Sequence, residues 1–532
     1  MKRVSMGLLA AVLMPFFPVV GQTPSEKPVT LLPGLGGWRH RINTSNPEAQ
    51  KYFDQGLALL YGFNRYEALR SFRKASELDP KAPMPFWGEA MAQGPHINMD
   101  TDGDVNLTAS CDAAQKGLAL AVAPSRERSY LETTARRCPQ FRPSNYINVM
   151  RDLAAGDPDD LDAATLYGES LLLASRWRWY GQDGAPAPGT TEAEHVLEEV
   201  LRRWPNHIGA NHFYIHAVES SPNPQRGIPS AQRLMGLAPQ AGHLVHMPGH
   251  IWLVLGDYEI AADVNARAAD LDRHYMETTG VTMSSYGGYY IHNLQFLVYS
   301  RWMLGRFKDS LAASQTLDQE IRPMAPAMPE MVDPFLSMVL FTNLRFAQWD
   351  EIMKAAEPPS NAPVSAALWR FARTVALSAK GDHNGAVRER DALETARKKV
   401  TDRPWLNNQA ADVLAVASEV AAARAANTPA AAIEHFQRAV KLQDALVYDE
   451  PPPWYQPLRE SLGAALLRSG KAAEAEAVFR EGIRRSPRNG RMLFGLVQSL
   501  KAQNKTAAAD SVGMEYEAAW KKADVQLRLE DF

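Results

Sequence analysis

His212 and His216 form an H-x3-H pair in NHFYIHAVES, and His246 and His250 form a second in HLVHMPGHIW. The pairs are offset by 34 residues, histidine for histidine. Neutral imidazole is the commonest nitrogen ligand for copper, zinc, iron and nickel. On a helix, residues i and i+4 share a face about 5–6 Å apart, so each pair is a chelating unit. Two such faces on helices packed roughly 8–10 Å apart bring four imidazoles to one place. The predicted chemistry is transition-metal ligation at one shared point, with His243 and His292 next to the four or completing their sphere. Glu219 or Glu169 is the acid expected to act as base or as acceptor for a ligand's second nitrogen, and Tyr299 falls on the same stripe.

Other readings of the same residues stay open. Duplicated repeats inherit residues together, so equal spacing also fits common ancestry without ligation. Protonated histidines bind anions, and a histidine with Glu169 or Glu219 is an acid–base pair without metal. The set His207, His212, His216, His243, His246 and His250 also divides into two groups of three, as in coupled dicopper centres. Glu-x-x-His motifs of a carboxylate-bridged di-iron site are absent. Cysteines, the usual ligands of structural zinc, are missing from the cluster. Imidazole-only coordination suits copper or catalytic zinc, and an exported location tilts the expectation to copper over zinc.

The elements that position these residues follow from the period. Thirty-four residues is the length of a tetratricopeptide (TPR) helical hairpin. QKYFDQGLALLYGFNRYEALRSFRKASELDP carries Gly56, Ala68, Phe72, Ala75 and Pro80 at the TPR offsets, and the tail repeats them in Gly463, Ala475, Phe479 and Pro487. Weaker copies begin at Gly256, Gly305 and Gly381. Strand alternation is scarce, so the predicted fold is all-α, a TPR-like right-handed α-solenoid. Taking Gly256 as a turn glycine and Pro205 as a terminator puts both histidine pairs at the fifth and ninth positions of their first helices. That stripe is expected to line a solvent-filled concave groove. His243 and His292 take its second position, Glu219 the twelfth and Tyr299 the ninth; a looser register adds Asp162 and Glu169.

The expected organisation is a signal peptide (1–21), an extended lead (22–45), N-terminal hairpins (46–150), a degenerate central region with the histidine-rich groove (151–330) and C-terminal hairpins (331–532). Lys2 and Arg3 precede a short apolar run broken by Pro15 and Pro18, which reads as a cleaved export signal and not a membrane span. The predicted location is periplasmic or secreted. Cys111 and Cys138 are either a disulfide or two isolated thiols. A net charge of −3 with no long basic run argues against nucleic acid as a partner. No G-x-S-x-G, P-loop or G-x-G-x-x-G context supports serine hydrolase, NTPase or dinucleotide chemistry.

Several segments have structural readings of comparable or greater weight. His96 in GPHINMD is expected to stabilise a turn. SRWRWYG (175–181) either stacks an aromatic or sugar substrate or packs as core. SYGGYYIHN (285–293) suggests a flexible, tyrosine-lined wall. Met247 and Met283 are expected to pack.

The chain resembles a group of bacterial exported TPR proteins known mainly by their repeats. The likeness is carried by FDQGLALLYGFNRYEALRSF, FWGEAMAQGPHIN, DGAPAPGT, HIGANHFYIHAVESSP, AGHLVHMPGHIWLVLGDY, YYIHN and EPPPWYQPLRESLGAALL, which together span nearly the whole mature chain. The resemblance supplies no reaction. It implies that His207, His212, His216, His243, His246, His250 and His292 are pattern positions; the group often has Asn at the place of His96. The functional expectation is a metal-binding protein, an enzyme acting on a small-molecule substrate in the groove. The alternative is a non-catalytic scaffold binding a peptide or protein.

Overall fold

The computed structural model describes residues 27–98, 105–400 and 402–532. The expected signal peptide lies outside the described residues. Helix follows helix from Pro47–Tyr61 to Thr506–Ala519, and among the described residues strand pairing is limited to Pro404–Trp405 against Asn408–Gln409 and an isolated bridge between Tyr180 and Pro186. The fold is an all-α, TPR-like right-handed solenoid.

The hairpins close for the reasons their residue types suggest. A Cβ on Gly56 would lie 2.6 Å from the Phe72 ring, and one on Gly463 would lie 2.5 Å from Phe479. Glycine therefore lets a phenyl ring seat against the partner helix at both ends of the solenoid. The residue before the second helix's N-cap takes a left-handed conformation in repeat after repeat. It is Gly256, Gly305, Gly381 and Gly470 in four of them, but Phe63 (φ 55°), Ala347 and Asn504 in others. For a bulky residue this conformation is strained. Phe63 is held there because its ring is fully buried.

The solenoid turns back on itself. Asp524 accepts hydrogen bonds from the N–H groups of Phe307 and Lys308, and Tyr275 donates to Glu67. Gly256 abuts the Pro487 carbonyl so closely that a Cβ there would sit 2.2 Å away. The proline-rich segment ends in Trp454 and Tyr455, both buried against Phe341 and Phe371. The inner face is therefore filled in the middle of the chain, which corrects the expectation of a solvent-lined groove.

Two local expectations change, and one open alternative is decided. Pro248 interrupts the helix carrying the second histidine pair, giving Gly242–His246 and Pro248–Val254 with Met247 between them. The SYGGYYIHN segment is no loop; it lies within the helix Met283–Met303. Cys111 and Cys138 form a disulfide.

Candidate metal centre

His212 and His216 project from the helix Ile208–Glu219, whose N-cap is His207. The Nε2 atoms of His212 and His216 lie 3.2 Å apart, and Nε2 of His243 is also 3.2 Å from that of His212. His246 and His250 face each other Nε2 to Nε2 at 2.6 Å. The ring of His292 stands 4.9 Å from that of His246, centroid to centroid. The histidines thus group as two triads, His212–His216–His243 and His246–His250–His292, each with ligand atoms within 4.8 Å of one another. In each triad one repeat supplies an i, i+4 pair and the next repeat supplies the third ring. The triads touch through His216 and His250 (5.4 Å) and through His243 and His246 (5.5 Å). The single four-imidazole point expected from the spacing is replaced by two adjoining three-imidazole sites.

The outer nitrogens are held by acceptors. His212 Nδ1 donates to the Tyr61 carbonyl at 2.5 Å. His246 Nδ1 donates to Asn265 Oδ1 at 2.6 Å, and Asn265 is oriented by its own bond to the Ala261 carbonyl. With the proton on Nδ1, Nε2 of each carries a lone pair aimed into its triad. Glu219 links the two sites: Oε1 meets His216 Nδ1 at 2.9 Å and Oε2 meets His250 Nδ1. This is the carboxylate–histidine support common behind metal ligands, here shared by both. Glu450, from the proline-rich segment, also reaches His250 Nδ1.

A phenyl ring covers each triad. Phe63 lies 4.5, 6.1 and 5.4 Å from the rings of His212, His216 and His243. Phe296 lies 4.8, 5.0 and 4.9 Å from those of His246, His250 and His292. Five of the six histidines are at most 3% exposed; His292 alone is partly accessible.

Burial dominates the protonation of this region. It lowers His212 to about 3 and His292 to about 4, and it holds His216, His243 and His246 well below the usual histidine range. These five are neutral, the form that ligates metal. At His250 burial also lowers the value, but the charges of Glu450 and Glu219 outweigh it and raise the imidazole to about 10. Burial and the Glu450 charge push Glu219 up. Glu450 is held down by His250 against the opposing effect of burial.

Ligand nitrogens bonded at about 2.0–2.1 Å around a tetrahedral ion lie roughly 3.3 Å apart. The 3.2 Å spacings in the first triad match that separation, and the 2.6 Å contact in the second is tighter. The donor set fits a transition metal with nitrogen preference.

The other sequence-selected residues lie elsewhere. Glu169 is buried, accepts from the Ile97 N–H and lies within the electrostatic reach of Arg137 and Arg65, away from the two histidine triads. Tyr299 packs on Trp302, with Tyr258, Arg345 and Glu460 as its charged or titratable neighbours. His207 accepts from the Ala210 N–H and faces Asp162, so His292 takes the place allotted to His207 in the six-histidine grouping. His96 accepts from the Asn98 N–H, a turn role. Met247 is core. Sequence reasoning missed Phe63, Phe296, Asn265 and Glu450. Only Glu450 had a signal, as an acid beside a run of prolines.

The fold and centre define a helical-repeat protein with a buried, carboxylate-bridged six-histidine cluster. No protein-family model and no functionally curated protein matches the chain. Among solved structures it is similar to yeast Tom70, at 12% identity over 91% of this chain and 93% of that one, TM-score 0.30. It is also similar to human IFIT1 in a dimer with m7Gppp-AAAA, at 13% identity over 91% and 92%, TM-score 0.30. Similarity at this level says nothing about activity.

Proposed function

We propose that this is an exported protein that binds two transition-metal ions, copper in preference to zinc, one at each histidine triad. It acts as a metal-dependent oxidoreductase on a small molecule. One observation carries the reading. The Nε2 lone pair of His212, fixed by the Tyr61 carbonyl, is met by the Nε2 atoms of both His216 and His243 at 3.2 Å. Facing neutral nitrogens repel unless a cation or proton lies between them, and His212 has a single Nε2 lone pair for two such contacts; a third lies between His246 and His250. Proton bridges account for two of the three contacts, from a protonated His250 to His246 and from an Nε2–H on His243, whose Nδ1 has no partner among the described residues, to His212; the His212–His216 contact remains for a cation.

Three considerations support copper and export. The ligands are all imidazole, which copper binds more tightly than zinc does. The Cys111–Cys138 disulfide fits an oxidising compartment, as does the signal-like N-terminus. Two adjoining copper ions would suit a two-electron oxidation, with dioxygen taking two electrons and two protons as hydrogen peroxide. The chain's own residues orient the ligands, exclude water with Phe63 and Phe296, and hold a proton at the Glu219–Glu450 pair. The peptide-scaffold reading has less support, because the proline-rich segment fills the inner face where a peptide would lie.

The test is elemental analysis of protein purified without chelating resin or chelators, then reloaded with Cu(II) or Zn(II). About two ions per chain are expected, with copper displacing zinc in competition. Protein that takes up neither metal stoichiometrically would overturn the reading.

A further inference from the structure

A cavity of about 470 Å³ lies beside the centre, within the range of small-molecule sites. Two of its walls are one step from the triads. Trp177 lines it and packs edge-on against His216, ring centroids 5.6 Å apart. Asn407 and Val447 line the opposite side, and Asn407 hydrogen-bonds Asp449, the neighbour of Glu450. Trp177 is held at φ 60°, a left-handed conformation that is strained for a bulky residue. Its neighbour Trp179 is fully buried and donates to the Leu172 carbonyl, so the two tryptophans divide the roles of wall and core.

The chemistry of the lining is one-sided. Phe141 and Trp177 offer aromatic faces, and Pro143 and Leu173 are apolar. Arg176 and Arg178 are the charged residues of the lining, and no carboxylate residue lines the cavity among the described residues. Arg178 has no side-chain hydrogen bond among the described residues. Ser175 Oγ, also on the wall, is buried without a partner among them.

We propose that this cavity binds an arene carboxylate, its ring against Trp177 and Phe141 and its carboxylate on Arg178 and Ser175. Aromatic faces and apolar walls select a flat ring. A guanidinium on a carboxylate supplies orientation and charge. This rests on the proposed function only in calling the ligand a substrate; the binding itself needs no metal.

The experiment is calorimetric titration of metal-free and copper-loaded protein with 4-hydroxybenzoate, and with 4-hydroxybenzamide as the neutral analogue of equal shape. The carboxylate is expected to bind both forms, and the amide at least tenfold more weakly. Arg178→Met should lower carboxylate affinity about tenfold, and Phe141→Ala should weaken both ligands, with metal content unchanged in each variant. Equal binding of acid and amide, no effect of Arg178→Met, or no binding by either form would overturn the proposal. Carboxylate binding by a protein that takes up no metal would sink the metal reading and leave the cavity assignment standing.

Discussion

His246 and His250 present Nε2 to Nε2 at 2.6 Å, while Asn265 holds the proton of His246 on the far nitrogen. A proton bridge must therefore come from His250, and an ion would replace it. His246→Gln is expected to reduce bound metal from two ions to one, and His212→Gln to do the same at the other triad. Elemental analysis of the two variants checks this. Alanine is a poorer probe than glutamine here. His246 is fully buried, and the void would cost about 2–3 kcal/mol.

Glu219 is the one residue shared by both sites. Replacing it with Gln should weaken metal binding at both triads together, by about 10–100-fold each. His292→Gln should affect only the second. Competition with a chelator of known affinity separates the two patterns; an effect of Glu219→Gln confined to one site would contradict the shared role.

Phe63 occupies a turn position that other repeats give to glycine. Phe63→Gly relieves about 1 kcal/mol of backbone strain but removes a buried ring worth about 3–5 kcal/mol. Net destabilisation of about 2–4 kcal/mol is expected, measured by denaturant unfolding of metal-free protein. Tighter chelator-resistant metal in this variant would argue against the ring as a cover.

Asp272 accepts from Tyr286 and Asn293, beside His292 in sequence, and burial pushes its carboxyl up to about 7. A raised acid binds its proton more tightly folded than unfolded. Its contribution is therefore fully present below pH 4, and it is lost as pH rises toward 7. The slope within that window is about 1.4 kcal/mol per pH unit. Asp272→Asn should remove this component. Unfolding of metal-free wild type and variant at pH 4.5 to 7.5 checks it, and parallel pH profiles would contradict it.

The 34-residue offset of the histidine pairs was enough to read the TPR-like class and the clustering of the histidines, because helical hairpins repeat at fixed length and each repeat places a given position on the same stripe. It also brought in His243 and His292, which share the second position of their repeats. It could not say how six rings would divide. That depends on the break at Pro248 and on the reach of the next repeat's first helix, both products of packing. Glu169 and Tyr299 share the stripe by register, yet charged neighbours more than a hundred residues away in sequence, Arg65 for Glu169 and Glu460 for Tyr299, claim their surroundings. Whether the groove stayed open was likewise a tertiary matter. The segment carrying Glu450 lies 200 residues beyond His250, and only the closure of the superhelix lays it, with Phe63 from the first hairpin, against the histidines. Periodicity is a property of neighbouring residues and survives in the sequence; burial is a property of what folds over them.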